Sequence, residues 1–89
     1  MDDVVGDVIE LRERVVIAPQ GGKVHLLSGD ERPSEGEFLL EGDPLAVVRL
    51  GGSGDVPVRC GFRGWLMGYL VLDGQPISEG EPVAWVRAV

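Results

Sequence analysis

An 89-residue chain has room for one domain, and its core is small enough to leave only modest stability. Hydrophobic residues at 44% exclude a disordered tail. Fifteen acidic against eight basic side chains, a net charge of −7, oppose nucleic acid and anionic lipid and favour a protein partner with a basic surface. No apolar run approaches the roughly 20 residues of a membrane helix. The acidic opening M-D-D-V-V-G-D lacks the basic-then-apolar order of a signal peptide, so the expected location is cytoplasmic. Cys60 is the single cysteine, which excludes an internal disulfide and leaves no thiolate metal set. Fourteen glycines and six prolines suit several short strands joined by tight turns rather than long helices.

Residues 1–14 read as an N-terminal arm and residues 15–89 as the β domain. In the arm, Val4, Val5, Val8, Ile9 and Leu11 fit either a strand extending the next one or a short amphipathic turn, while Asp2, Asp3, Asp7 and Glu10 favour solvation. Val15-Val16-Ile17-Ala18 is β-branched and apolar, a strand closed by Pro19-Gln20-Gly21-Gly22. After Gly22, apolar residues fall at Val24 and Leu27; after Gly64 they fall at Leu66, Tyr69 and Val71, then Ile77, Val83 and Trp85. These mixed intervals of two and three predict short strands that bend or bulge with one face inward. The polar stretch Ser28 to Ser34 predicts a protruding loop. Gly51, Gly52, Ser53, Gly54 and Asp55 predict a hairpin tip, with Val56 and Val58 alternating along its returning strand. Pro57 on that strand has no donor and belongs at an edge or a bulge. No segment offers ten residues of helical period.

One stretch organises the rest. E-G-D-P-L-A-V-V-R at Glu41 to Arg49 returns as E-G-E-P-V-A-W-V-R at Glu79 to Arg87, 38 residues on. In the same register Gly36 falls on Gly74 and Leu39 on Ile77, and the first half carries four extra residues near Ser28 to Ser34. The expectation is an all-β fold of seven or eight short strands in two facing layers, related by a pseudo-twofold.

The ordered set A-P-x-x-G at Ala18 to Gly22, Gly42-Asp43-Pro44-Leu45, G-x-L from Gly64 and D-G-Q-P-I-x-x-G-x-P-V from Asp73 to Val83 resembles the biotinyl/lipoyl attachment domain. That family is built on the flattened barrel-sandwich hybrid of carboxylase carrier proteins and 2-oxoacid dehydrogenase carriers. The likeness covers about Val15 to Val89, and the Ser28 to Ser34 loop sits where biotin carriers of bacterial acetyl-CoA carboxylase bear a longer thumb. What the resemblance implies for chemistry fails at one place. The family's modified lysine, in A-M-K-M or D-K-A, falls here on Gly52 or Ser53, and the only lysine of the chain is Lys23. An amide to biotin or lipoate needs a primary amine, so no cofactor is expected.

The remaining candidates follow. Ser53 lacks a neighbouring base, and His25 belongs to another strand pair, so a nucleophile and base are not brought together. His25 reads as an exposed strand residue, and Cys60 as a half-buried small one. Asp30, Glu31, Glu35 and Glu37 lack the glycine-pinned spacing of a calcium loop. No catalytic residue and no metal is assigned. If Leu66 points inward, Trp65 and Met67 point outward as a contact patch; a local bulge would instead turn Trp65 into the core. Glu31 and Arg32 of the loop, and Gly51, Gly52, Ser53 and Gly54 of the tip, are further candidate contacts. Trp85, matching Val47, is expected in the core. These readings favour a non-catalytic interaction or accessory module, of the kind found beside an acyl-CoA carboxylase. The alternatives are a small-molecule binder or enzyme reusing the scaffold, and a carrier modified at Lys23.

Overall fold

The computed structural model describes residues 12–52 and 54–89. The strand-or-turn expectation for the first eleven residues and the expectations for Ser53 therefore lie outside the described residues. The chain is all-β. Its strands are β1 (Arg12–Ile17), β2 (Gly22–Leu26), β3 (Phe38–Leu39), β4 (Pro44–Arg49), β5 (Asp55–Arg59), β6 (Gly64–Tyr69), β7 (Pro76–Ile77) and β8 (Pro82–Ala88). All pairings are antiparallel, in two four-stranded sheets ordered β1-β8-β6-β3 and β5-β4-β2-β7. Arg12 to Arg14 belong to β1, so the sequence boundary at residue 15 falls inside a strand.

Exchanging β1 with β5, β8 with β4, β6 with β2 and β3 with β7 turns one sheet order into the other. The 38-residue repeat is only half of this relation. It carries β3 and β4 onto β7 and β8, whereas β1 and the start of β2 match β5 and β6 at a separation of 42 residues. The four-residue difference is absorbed between β2 and β3, where the polar loop lies.

The core obeys the same exchange. Val16 matches Val58, Val24 matches Leu66, Leu39 matches Ile77, Leu45 matches Val83, Ala46 matches Ala84 and Val48 matches Val86, and all twelve are buried. Two adjacent buried residues occur at Leu45-Ala46 and again at Val83-Ala84, which strict alternation along a strand forbids. The ladder resolves this with a register shift at each place, between Pro44 and Ala46 against β5 and between Val16 and Ile17 against β8. A bulge lets one extra residue enter the core from the same strand.

Trp85 is a correction. After the bulge, alternation turns it outward like its counterpart Val47, and both are half-buried on outer faces. Pro57 lies on β5, an edge strand, where its missing donor breaks no central ladder.

Two glycines set the closest backbone approach. A Cβ built on Gly64 would lie 2.4 Å from the Arg87 carbonyl oxygen, and one built on Gly22 would lie 2.4 Å from that of Arg49. These are equivalent contacts in the two halves. Each glycine lets its strand start directly against the inner strand of its sheet.

Candidate functional site

The two sheets share a backbone plan but present different chemistry on their outer faces. Across the sheet β1-β8-β6-β3, one row of directly paired residues reads Glu13, Arg87, Trp65, Phe38. The equivalent row across β5-β4-β2-β7 reads Asp55, Arg49, Lys23, Pro76. The first two positions of both rows are ion pairs. Arg87 Nε donates to Glu13 Oε2 at 2.9 Å, and Arg49 donates to Asp55 through Nε at 2.7 Å and Nη2 at 3.0 Å. Hydrogen bonding from the guanidinium holds each carboxyl below its usual range, at Glu13 by Arg87 and at Asp55 by Arg49. Both pairs are solvent-exposed, so they fix side-chain position more than they stabilise the fold.

The last two positions diverge. Phe38 and Trp65 meet edge to face, with ring centroids 5.0 Å apart at 74°. In the next row Val15 pairs with Trp85. Val15, Ile17, Phe38 and Trp65 are 44%, 51%, 39% and 40% exposed, so one sheet shows water apolar side chains from β1, β3 and β6, with half-buried Trp85 of β8 on the same face. Leu66 beside Trp65 is fully buried, so Trp65 lies outward. Met67 is the extra residue of a register shift between Leu66 and Gly68 and is half-buried.

Lys23 takes the place of Trp65 on the other sheet. It is exposed, directly opposite Arg49, at the end of β2 where the Gly22 contact brings the strands together. His25 is half-buried rather than exposed, and its Nδ1 lies 3.8 Å from Asp73 Oδ1. Asp73 is occupied by the backbone, accepting the Leu26 N–H at 2.9 Å. The hairpin tip joins β4 to β5, with Gly51 and Gly54 at φ of +56° and +89°. Asp55 belongs to β5 rather than to the tip, because Arg49 pairs with it. Gly51, Gly52 and Gly54 are exposed.

The Ser28 to Ser34 loop is anchored rather than free. It holds a short 3-10 turn, Gly29–Glu31, and Pro33 is buried. The Tyr69 hydroxyl donates to the Pro33 carbonyl at 2.8 Å, and the Arg32 guanidinium sits over the Tyr69 ring at 5.1 Å. Burial raises the Tyr69 pKa. Arg32 is exposed but engaged by the Tyr69 ring, and Glu31 is exposed. Sequence reasoning missed this anchor, because Tyr69 and Pro33 are 36 residues apart and neither carries a local signal.

Cys60 is fully buried, 1% exposed, and its thiol donates to the Phe62 carbonyl at 2.9 Å. Burial pushes its pKa up, so the reactive thiolate is scarce at neutral pH. Iodoacetamide should alkylate native Cys60 at least about 100-fold more slowly than the urea-unfolded chain, because reaction must wait for opening of the fold. Comparable rates by mass spectrometry would show that the site is open.

Among the described residues, no group of three or more His, Cys, Asp and Glu side chains is placed to hold a metal ion, and no helix is long and apolar enough to cross a membrane. No protein-family model matches the chain, and no curated protein matches it.

Proposed function

We propose that the chain is a biotinyl/lipoyl-like barrel-sandwich domain without an attachment amine, working as a non-catalytic interaction module. Its contact surface is the outer face of the sheet β1-β8-β6-β3. The observation that carries this is the contrast between equivalent rows. The scaffold tolerates Lys23 and Pro76 on one sheet, so nothing in the backbone plan demands the exposed pair Trp65 and Phe38 on the other. An exposed aromatic band has a solubility cost unless something covers it, and Trp is the residue type most enriched at the centre of interfaces.

The partner is read from charge. The chain carries −7, and β3, which brings Phe38 to the sheet edge, is flanked in sequence by Glu35, Glu37 and Glu41. A protein surface with an apolar centre and basic rim matches that pattern. The two halves with matched hinge glycines and no lysine at the tip fit an accessory role in the cytoplasm beside an acyl-CoA carboxylase-type complex, where the carrier chemistry belongs to another subunit.

Site-specific photocrosslinking in cells tests the reading. A crosslinker at Phe38 or Val15 should capture a basic partner, whereas one at Pro76 or Pro57, the equivalent positions of the other sheet, should capture at most about a tenth as much. Equal capture from the two sheets would overturn the assignment of the face. A biotinyl or lipoyl mass increment on Lys23 would overturn the non-carrier reading.

A further inference from the structure

We infer that the opposite sheet carries an anion site, formed by Lys23, His25 and Arg49 beside the hairpin tip, that takes the phosphate group of a small phosphate ester. The three side chains line one open depression of about 370 Å³, together with Gly22, Leu50 and Gly51. Lys23 and Arg49 are paired directly across β2 and β4, and like charges in that position destabilise a sheet. The equivalent pair on the other sheet is Trp65 and Arg87, so the fold does not require two cations there.

In a chain with almost twice as many acidic as basic residues, a facing cation pair stands out, and a bound anion would relieve its repulsion. Among the described residues the Lys23 ammonium has no ion-pair partner. Arg49 is held from one side, its Nε and Nη2 bonded to Asp55, which leaves Nη1 open and the guanidinium fixed in orientation. Asp55 cancels one of the two charges, so the third donor matters. His25 lies next outward from Lys23 on β2 with its side chain 31% exposed, and Asp73 Oδ1 lies 3.8 Å from its Nδ1, which leaves Nε2 as the nitrogen for an anion. Gly22 has no side chain because a Cβ would strike the Arg49 carbonyl, and this keeps the base of the depression open.

Leu50, 54% exposed, supplies an apolar wall beside the cations. A bare phosphate would leave that wall in water, whereas an ester with an apolar or aromatic body would cover it. This is why the site is assigned to a phosphate ester rather than to free phosphate. It lies on the sheet opposite the proposed protein contact and does not depend on it.

Amide and side-chain NMR of the labelled protein, titrated at constant ionic strength with inorganic phosphate and with phenyl phosphate, tests the inference. Saturable shifts should centre on Gly22, Lys23, His25, Arg49 and Gly51. Dissociation constants should be of millimolar order, with phenyl phosphate about fivefold the tighter. Lys23→Gln should weaken phenyl phosphate about tenfold, and Arg63→Gln, a change of equal charge elsewhere, less than about twofold. Shifts that fail to saturate, that scatter over all basic residues, or that respond equally to the two substitutions would overturn the site. Equal affinity for the two ligands would overturn the assignment to an ester.

Discussion

Gly64→Ala is expected to destabilise the domain by about 3 kcal/mol or more, lowering its melting temperature by roughly 12–24 °C. The added methyl would stand 2.4 Å from the Arg87 carbonyl oxygen and 2.7 Å from the Ala88 Cα. Both are backbone atoms of β8, which lies between β1 and β6 in its sheet, so neither can swing aside as a side-chain end would. Gly22→Ala meets the Arg49 carbonyl at the same distance and should behave alike. Gly61→Ala is the control. It has open space and no positive φ, and should stay within about 0.5 kcal/mol of the parent. Thermal melts followed by circular dichroism would separate the cases. A Gly64→Ala protein melting within a few degrees of Gly61→Ala would mean that β6 and β8 are not so close.

Leu66→Ala should cost about 2–5 kcal/mol, the range for emptying a leucine site that cannot collapse. Leu66 is fully buried at the start of β6, matched by Val24 of β2 in the other sheet, and is part of the shared buried core. A domain of this size holds only about 5–10 kcal/mol, so this change removes a large share of it. In urea the midpoint should fall while the slope is unchanged, since the surface exposed on unfolding hardly differs. Leu72→Ala removes the same atoms from a residue that is 77% exposed and should fall within about 0.5 kcal/mol of the parent. Equal midpoints for the two variants would show that Leu66 is not a core residue.

Much of the framework was legible because the repeat Glu41 to Arg49 and Glu79 to Arg87 spans the two strands that contribute most to the core, β4 and β8. Bulging was legible too, since intervals of two and three cannot sit on a flat strand. The companion relation at 42 residues was not. Arg12 to Ile17 and Asp55 to Arg59 share little beyond an acid at Glu13 and Asp55 and a valine at Val16 and Val58. Edge strands have one side open to water, and their outer residues were free to diverge. The paired acids and arginines could have been found from that spacing. Trp85 was misplaced because its size suggested the core, whereas the bulge at Val83 decides which way it turns. For the outer face, alternation left Trp65 either outward or turned inward by a bulge, and it gave no sign that Phe38 and Val15 would lie on the same face, since that comes from sheet order alone.

That β8 lies between β1 and β6 has a consequence for how the molecule is made. Arg12 pairs with Ala88, so the first described strand waits for the last one to leave the ribosome. Until Val86 has emerged, β1 has no neighbour in its sheet and β6 has only the two-residue β3. The sheet can therefore close only after β8 has emerged, and until then the growing polypeptide exposes strands whose apolar faces are uncovered.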